Sequence, residues 1–467
     1  MNFASIHFFI FFTFVLLVYW NLPRTKQNIF LLLASWFFYA FWDWRFLSLI
    51  VISTLSNYYC GKLIFANNKN SSRRFWLIVA IVVNIGILVY FKYAGFMVDS
   101  LMLMFEKAGI SVSRVTLEIT LPVGISFYIF QSLSYSLDIY RNKLTPNYSL
   151  IDFATFVAFF PQLVAGPIVR ATEFLYQLES ERKFNSSDFE QGAIRFLSGF
   201  FKKVFIADNL AVHLVDPVFS NPGSYSSGIL WFAMLGYSVQ IYADFSGYSN
   251  MAIGCARMLG FKLPENFNFP YLATNFSDFW QRWHMTMSRF FRDYIYISMG
   301  GNRRGQIRTL VNLAVTTLVS GLWHGASWTF VAWGGLHGLY IALNHQLNEH
   351  IQKLNVAFAL IFGWLSTQLL VCFAWILFRS PNFESAIEFF RGLFSAQTGT
   401  TIYLPVILYL CIASFIVDHV YGLCCEQFPV LRENNFNKIL PFVYATMLIM
   451  LFHGQVEEAN PFIYFQF

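Results

Sequence analysis

Between residues 309 and 348 the chain runs forty positions without an Asp, Glu, Lys or Arg. A helix needs about 20 residues to cross the hydrocarbon core of a bilayer, so this run alone has room for two passes. Shorter runs free of the same four residues cover 3–20, 27–41, 46–61, 75–91, 119–137, 153–169, 226–243, 354–378, 392–417 and 439–456. Several are near 16 residues, which suits tilted, re-entrant or half-buried segments. In lipid only helices and closed barrels satisfy their own backbone. The pattern therefore predicts an all-α polytopic membrane protein with about ten to twelve membrane segments.

Composition removes the alternatives. Charged residues make up 12% of the 467 positions, against roughly 25% in an average soluble domain. With 56 Phe and 13 Trp, a water-soluble fold would expose large sticky patches. A soluble enzyme, a nucleic-acid binder and a disordered chain are excluded. The six cysteines form no CxxC pair and sit mostly in apolar runs, where they read as small hydrophobes rather than metal ligands or disulfides.

The net charge of +6 matters through its placement. No Lys or Arg precedes the first apolar run, so it lacks the basic start of a signal peptide. Arg24 and Lys26 follow it, and the positive-inside rule puts that loop in the cytoplasm and the N-terminus outside. Arg432 and Lys438 precede the last run and Glu457 and Glu458 follow it, which puts the C-terminus outside as well. No internal repeat appears, and residues 1–467 read as one membrane domain. Within 178–205, the stretch 186–205 (SSDFEQGAIRFLSGFFKKVF) has Ser186 or Ser187 as a helix cap. Phe189, Phe196, Phe200 and Val204 recur there at helical spacing. With Lys202 and Lys203 it reads as a helix on the cytoplasmic interface or as an ordinary amphipathic connector.

Ionisable groups inside a membrane are costly unless paired or wet, and so mark candidate function. His324 lies deep in the longest uncharged run, in SGLWHGASW at 320–328, bracketed by Gly321 and Gly325. It is either a hydrogen-bonded core residue or a reactive one. His284 stands in a cytoplasmic segment, 254–308, that carries Arg282, Arg289, Arg292, Arg303, Arg304 and Arg308 interleaved with aromatics. Such a segment suits a phosphorylated ligand with a flat ring, or simply a topogenic loop with an aromatic belt. Asp244, in QIYADFSGYSN at 240–250, either pairs with an arginine or histidine or marks the membrane boundary. His337 reads as packing. FIYFQF at 462–467 places Tyr464 among phenylalanines on the outer side, as an interface anchor or a tail that docks into the protein. No HExxH, Walker, GxSxG or Rossmann signature occurs.

Taken together, FFPQLVAGPIVR (159–170), FFKKVFIADNL (200–210), QIYADFSGYSNMAIG (240–254), FWQRWHMTMSRFFRDYIYI (279–297), GGNRRG (300–305) and SGLWHGASW (320–328) resemble the membrane-bound O-acyltransferase family. The resemblance is to its bacterial branch of alginate O-acetylases and peptidoglycan O-acetyltransferase membrane subunits. It implies membrane helices around a central tunnel, with Trp323 and Gly325 flanking a catalytic His324 and His284 as the second characteristic histidine. The implied donor is acetyl-CoA at the cytosolic mouth, without a metal. Arg282, Arg289, Arg303 and Arg304 are expected near its phosphates on charge alone. The related D-alanylation system uses a separate small protein with an aromatic, tyrosine-bearing end. By that likeness residues 457–467 form a fused acyl-acceptor motif, and Tyr464 a relay activated by His324. A partner SGNH-type serine O-acetyltransferase outside the cytoplasmic membrane would then acetylate a polysaccharide, peptidoglycan first and alginate or another exopolysaccharide second. D-alanyl transfer to teichoic acid ranks lower because the relay lies on the chain itself. A secondary transporter is the competing class, but the inverted repeat it needs is not visible.

Overall fold

The computed structural model describes residues 1–110, 117, 119–164, 166–351, 356–401, 405–428, 440–454 and 462. Among these the backbone is helical, and β pairing is limited to one isolated bridge, Tyr225 to Thr400. The chain divides into two compact units, residues 1–196 with 251–264, and 197–250 with 265–467.

In the first unit, the runs at 27–41 and 46–61 fall on one long apolar stretch, Arg24–Ala66, and the run at 75–91 falls on Asn70–Lys107. Phe358–Arg379 and Val406–Gln427, in the second unit, are also long and apolar enough to cross a membrane. Ile6–Tyr19 and Pro441–Gly454 are apolar but shorter. Four stretches meet the length-and-hydropathy test among the described residues, and two of them, at 43 and 38 residues, are longer than a single pass needs. The other runs form helices that are shorter, broken or less apolar. The run at 153–169, for example, splits into Leu150–Ala158 and Phe160–Leu163, where Pro161 cannot continue a helical hydrogen-bond ladder. Many large apolar side chains on these helices face outward, among them Phe14, Ile78, Val356, Ile361, Val406 and Phe442. Lipid rather than water is the solvent that tolerates such a surface.

The helices of the first unit are joined by small polar side chains. Ser53 Oγ donates to Asn84 Oδ1 at 2.5 Å and lies 2.7 Å from Ser132 Oγ, while Ser136 Oγ donates to Asn57 Oδ1 at 2.8 Å. Hydrogen bonding between small residues is the usual glue where no hydrophobic force separates helix from lipid. The helix predicted at 186–205 is present as Ser186–Phe201, and its cap lies one residue earlier than expected. Asn185 Oδ1 accepts from the amides of Ser187 and Asp188 at 2.9 and 3.2 Å.

In the second unit the forty-residue run forms a helical hairpin, Gln306–His324 and Trp328–Ile351. The break falls at Gly325, whose backbone is extended (φ −155°, ψ 148°). Gly321 and Gly334 let the two helices approach backbone to backbone: a Cβ on Gly321 would stand 3.1 Å from Gly334 Cα and overlap the Phe330 carbonyl. A Cβ on Gly325 would overlap the Phe330 ring. At both glycines the protein's own atoms make the close approach.

Candidate active site

His324 is the last residue of the Gln306–His324 helix, so its ring stands at the turn of the hairpin, and it is buried. Its ring centroid lies 4.9 Å from Trp323, 5.1 Å from Trp333 and 5.4 Å from Phe378. His284 comes to it from a different element. Phe276–Arg282 ends just before it and Met285–Phe291 begins just after, and His284 itself takes a left-handed conformation (φ 42°, ψ 52°). Such a φ is uncommon for a residue with a Cβ and costs energy that the surroundings must offset. Here it turns a fully buried imidazole toward the hairpin, 6.4 Å from His324 and 5.8 Å from Trp323 between ring centroids.

The residue that fixes His284 is Asn266. Its Oδ1 accepts from the Thr286 amide at 3.3 Å and the Thr286 hydroxyl at 2.8 Å, and lies 3.0 Å from His284 Nδ1. Its Nδ2 donates to Ser249 Oγ at 3.1 Å. A backbone N–H can only donate, so the atom facing His284 is the amide oxygen and Nδ1 must carry the proton. In the neutral ring Nε2 then holds a lone pair, and this buried atom has no hydrogen-bond partner among the described residues. The arrangement presents an oriented base or acceptor next to His324. Asn266 was not legible in the sequence because it lies in an irregular stretch with no periodic pattern.

Asp244 is buried and pairs with Lys203 at 2.7 Å. Lys203 also holds Asp208 at 2.8 Å, and both carboxylates are buried. Beside it Lys202 pairs with Asp418 at 2.9 Å, and the Tyr242 hydroxyl donates to the same Asp418 oxygen at 3.0 Å. Lys202 and Lys203 are thus buried ion-pair partners and not the solvent-facing charges of an interfacial helix. They fall in a π-helical turn, Lys202–Ala207, and the extra residue per turn re-aims side chains relative to the α-helix before it.

The arginines divide. Arg289 and Arg292 line a cavity of about 640 Å³, together with Trp280, Ser288, Thr316, Trp333 and His337. Arg292 also pairs with Asp293 at 2.8 Å. Arg282 is engaged by Asp278 at 2.7 Å and Glu426 at 2.5 Å. Arg303 and Arg304 are exposed. No group of three His, Cys, Asp or Glu side chains is placed to hold a metal ion among the described residues.

Tyr464 lies outside the described residues, as do 457–461, but Phe462 of the same tail is described and is fully buried. Its ring packs on Tyr248 at 4.3 Å and on Phe245 at 5.7 Å, and the Phe245 ring is in turn 4.6 Å from His284. Phe462 therefore joins the cluster of rings that packs on His284.

A model of the membrane-bound O-acyltransferase family matches residues 37–387 of the chain. The chain is 38% identical to a probable alginate O-acetylase of Pseudomonas putida, over 99% of both proteins. It is 42% identical to a probable alginate O-acetylase of Azotobacter vinelandii, over 84% of this chain and 77% of the relative. To the peptidoglycan O-acetyltransferase of Helicobacter pylori it is 38% identical, over 81% of this chain and 76% of the relative.

Proposed function

The chain belongs to the membrane-bound O-acyltransferase family and is an acyltransferase, and from that premise we propose that it carries acetyl groups from cytosolic acetyl-CoA to the outer side of the cytoplasmic membrane. His324 acts as the base. It takes the proton of the Tyr464 phenol as the phenolic oxygen attacks the thioester carbonyl. The tetrahedral adduct collapses with cleavage of the C–S bond, and the thiolate leaves with the proton from His324 as coenzyme A. Tyrosine has an unperturbed pKa near 10 and histidine one near 6.5, so the phenol is a poor nucleophile at neutral pH unless a base adjoins it. The phenol's single proton goes to His324, so His284, its Nδ1 proton committed to Asn266, acts as the second histidine of the site that positions the reactants rather than as a partner of the phenol O–H. The acetyl ester on Tyr464 is then taken by the serine of a partner transferase and passed to a polysaccharide hydroxyl.

The observation that carries this reading is the burial of Phe462 against Tyr248 and Phe245, one ring away from His284. A free interface anchor would not bury its phenylalanine in the protein beside the rings that pack on His284. The acceptor is assigned as a class, an exported envelope polysaccharide, because peptidoglycan and alginate both occur in the names of the relatives. The test is to incubate purified protein with isotopically labelled acetyl-CoA and map the label by peptide mass spectrometry. Label on Tyr464 that disappears in His324→Ala supports the relay. Label in His324→Ala, or full acetyl transfer by Tyr464→Phe, removes it.

A further inference from the structure

His337, which the sequence presents as packing, is one of the most enclosed polar side chains of the second unit, with 1% of its surface exposed. Rings hold it on several sides: Trp333 at 4.7 Å, Trp280 at 5.1 Å, Tyr340 at 5.8 Å and Phe279 stacked at 6.4 Å. Neither ring nitrogen has a hydrogen-bond partner among the described residues, and neither do the indole N–H groups of Trp280 and Trp333. Buried polar groups are nearly always paired, and an unpaired one costs its full desolvation. Three such groups line the same cavity of about 640 Å³. A core histidine kept only for packing would be served better by an apolar ring.

The geometry points to a ligand that supplies the missing partners: we propose that His337 is a positioning residue that hydrogen-bonds an amide of the donor's pantetheine arm within this cavity. The proposal rests on the donor being a coenzyme A thioester. A neutral imidazole offers one donor and one acceptor, and a secondary amide offers the complementary pair. The two indoles add N–H donors for carbonyl oxygens. An aliphatic acyl chain would leave all of these groups unpaired. The same cavity is lined by Arg289 and Arg292, cationic side chains suited to the anionic end of a phosphorylated ligand. Trp333 lies between His337 and His324, with ring centroids 4.7 and 5.1 Å away. An arm seated on His337 thus has the catalytic histidine on the far face of one indole. His337 sets where the arm lies, and through it where the thioester stands.

The test is direct binding to full-length purified protein, using coenzyme A and, as the probe lacking the arm, 3′-phosphoadenosine diphosphate. His337→Phe keeps a ring of similar bulk without its nitrogens, and His337→Gln restores one donor and one acceptor. Losing one neutral hydrogen-bonded pair predicts coenzyme A binding weakened roughly tenfold in His337→Phe, with the armless nucleotide within about twofold of the parent. His337→Gln should recover most of the loss. In turnover His337→Phe should raise KM for acetyl-CoA far more than it lowers kcat, the pattern of lost ground-state binding. Equal weakening of both probes, or no weakening of coenzyme A, overturns the assignment of His337. Parent protein that binds neither probe overturns the coenzyme A reading itself, a separate and recognisable failure.

Discussion

The Ser53–Asn84–Ser132 cluster of the first unit and the histidine region of the second are both buried among helices, yet they treat polar atoms in opposite ways. In the first, each hydroxyl and amide finds a neighbour: Asn84 accepts from Ser53 and donates to the Ala80 carbonyl at 2.8 Å and to Ser56 at 3.2 Å. In the second, His284 has one nitrogen committed to Asn266 and the other uncommitted, and His337 has neither nitrogen paired. A polar cluster that only holds helices together is fully satisfied, because a half-satisfied one costs more than apolar packing. Polar atoms kept open beside a cavity are the cost of a site that must receive something.

Substitutions on the two sides of this comparison should separate chemistry from stability. The largest effect is expected at His324. Removing a general base lowers turnover by roughly 10²–10⁴-fold, so His324→Ala should give protein that purifies and melts like the parent but releases almost no thiol from acetyl-CoA, as followed with a thiol-reactive dye. Next is Lys203→Met, which strands Asp208 and Asp244 without their shared cation. Breaking a buried pair by deleting one partner costs about 3–5 kcal/mol, which a thermal melt in detergent would register as a large fall in Tm. Asn266→Leu should cost turnover roughly tenfold to a hundredfold, since His284 then loses the contact that selects its tautomer; rescue by Asn266→Gln would count against a strict geometric role. The smallest effect belongs to the first unit. Ser53→Ala should lower stability by about 0.6 kcal/mol, typical of hydrogen bonds between membrane helices, with thiol release unchanged. A loss of turnover there would erase the contrast between the regions.

How far the sequence could be read follows from which kinds of information are local. The hairpin was legible because forty uncharged residues hold two passes and Gly325 supplies a break. His284 and His324 stood out because histidine is conspicuous among apolar neighbours. Their meeting is a tertiary fact, made possible by the positive φ at His284, which no periodic pattern announces. Asn266 escaped notice for the same reason, since one asparagine in an irregular stretch has no spacing to betray it. The ion pairs of Lys202 and Lys203 were not legible because their partners Asp418, Asp208 and Asp244 lie on other turns and helices, and no local spacing announces the π-turn at Lys202–Ala207 that carries the two lysines. Absence of charge also fixes segment ends poorly: the run at 119–137 begins in irregular backbone and yields Ile125–Tyr140 as helix.

The account turns on Tyr464 as an intermediate station rather than an anchor, and kinetics test that most directly. In a rapid-quench experiment with labelled acetyl-CoA and the purified protein, acetyl on Tyr464 should rise at the same rate as free thiol, then decay when the partner transferase and polysaccharide are added. Release of thiol and acetylation of polysaccharide at the parent rate by Tyr464→Phe, with no ester on the tail, would contradict it.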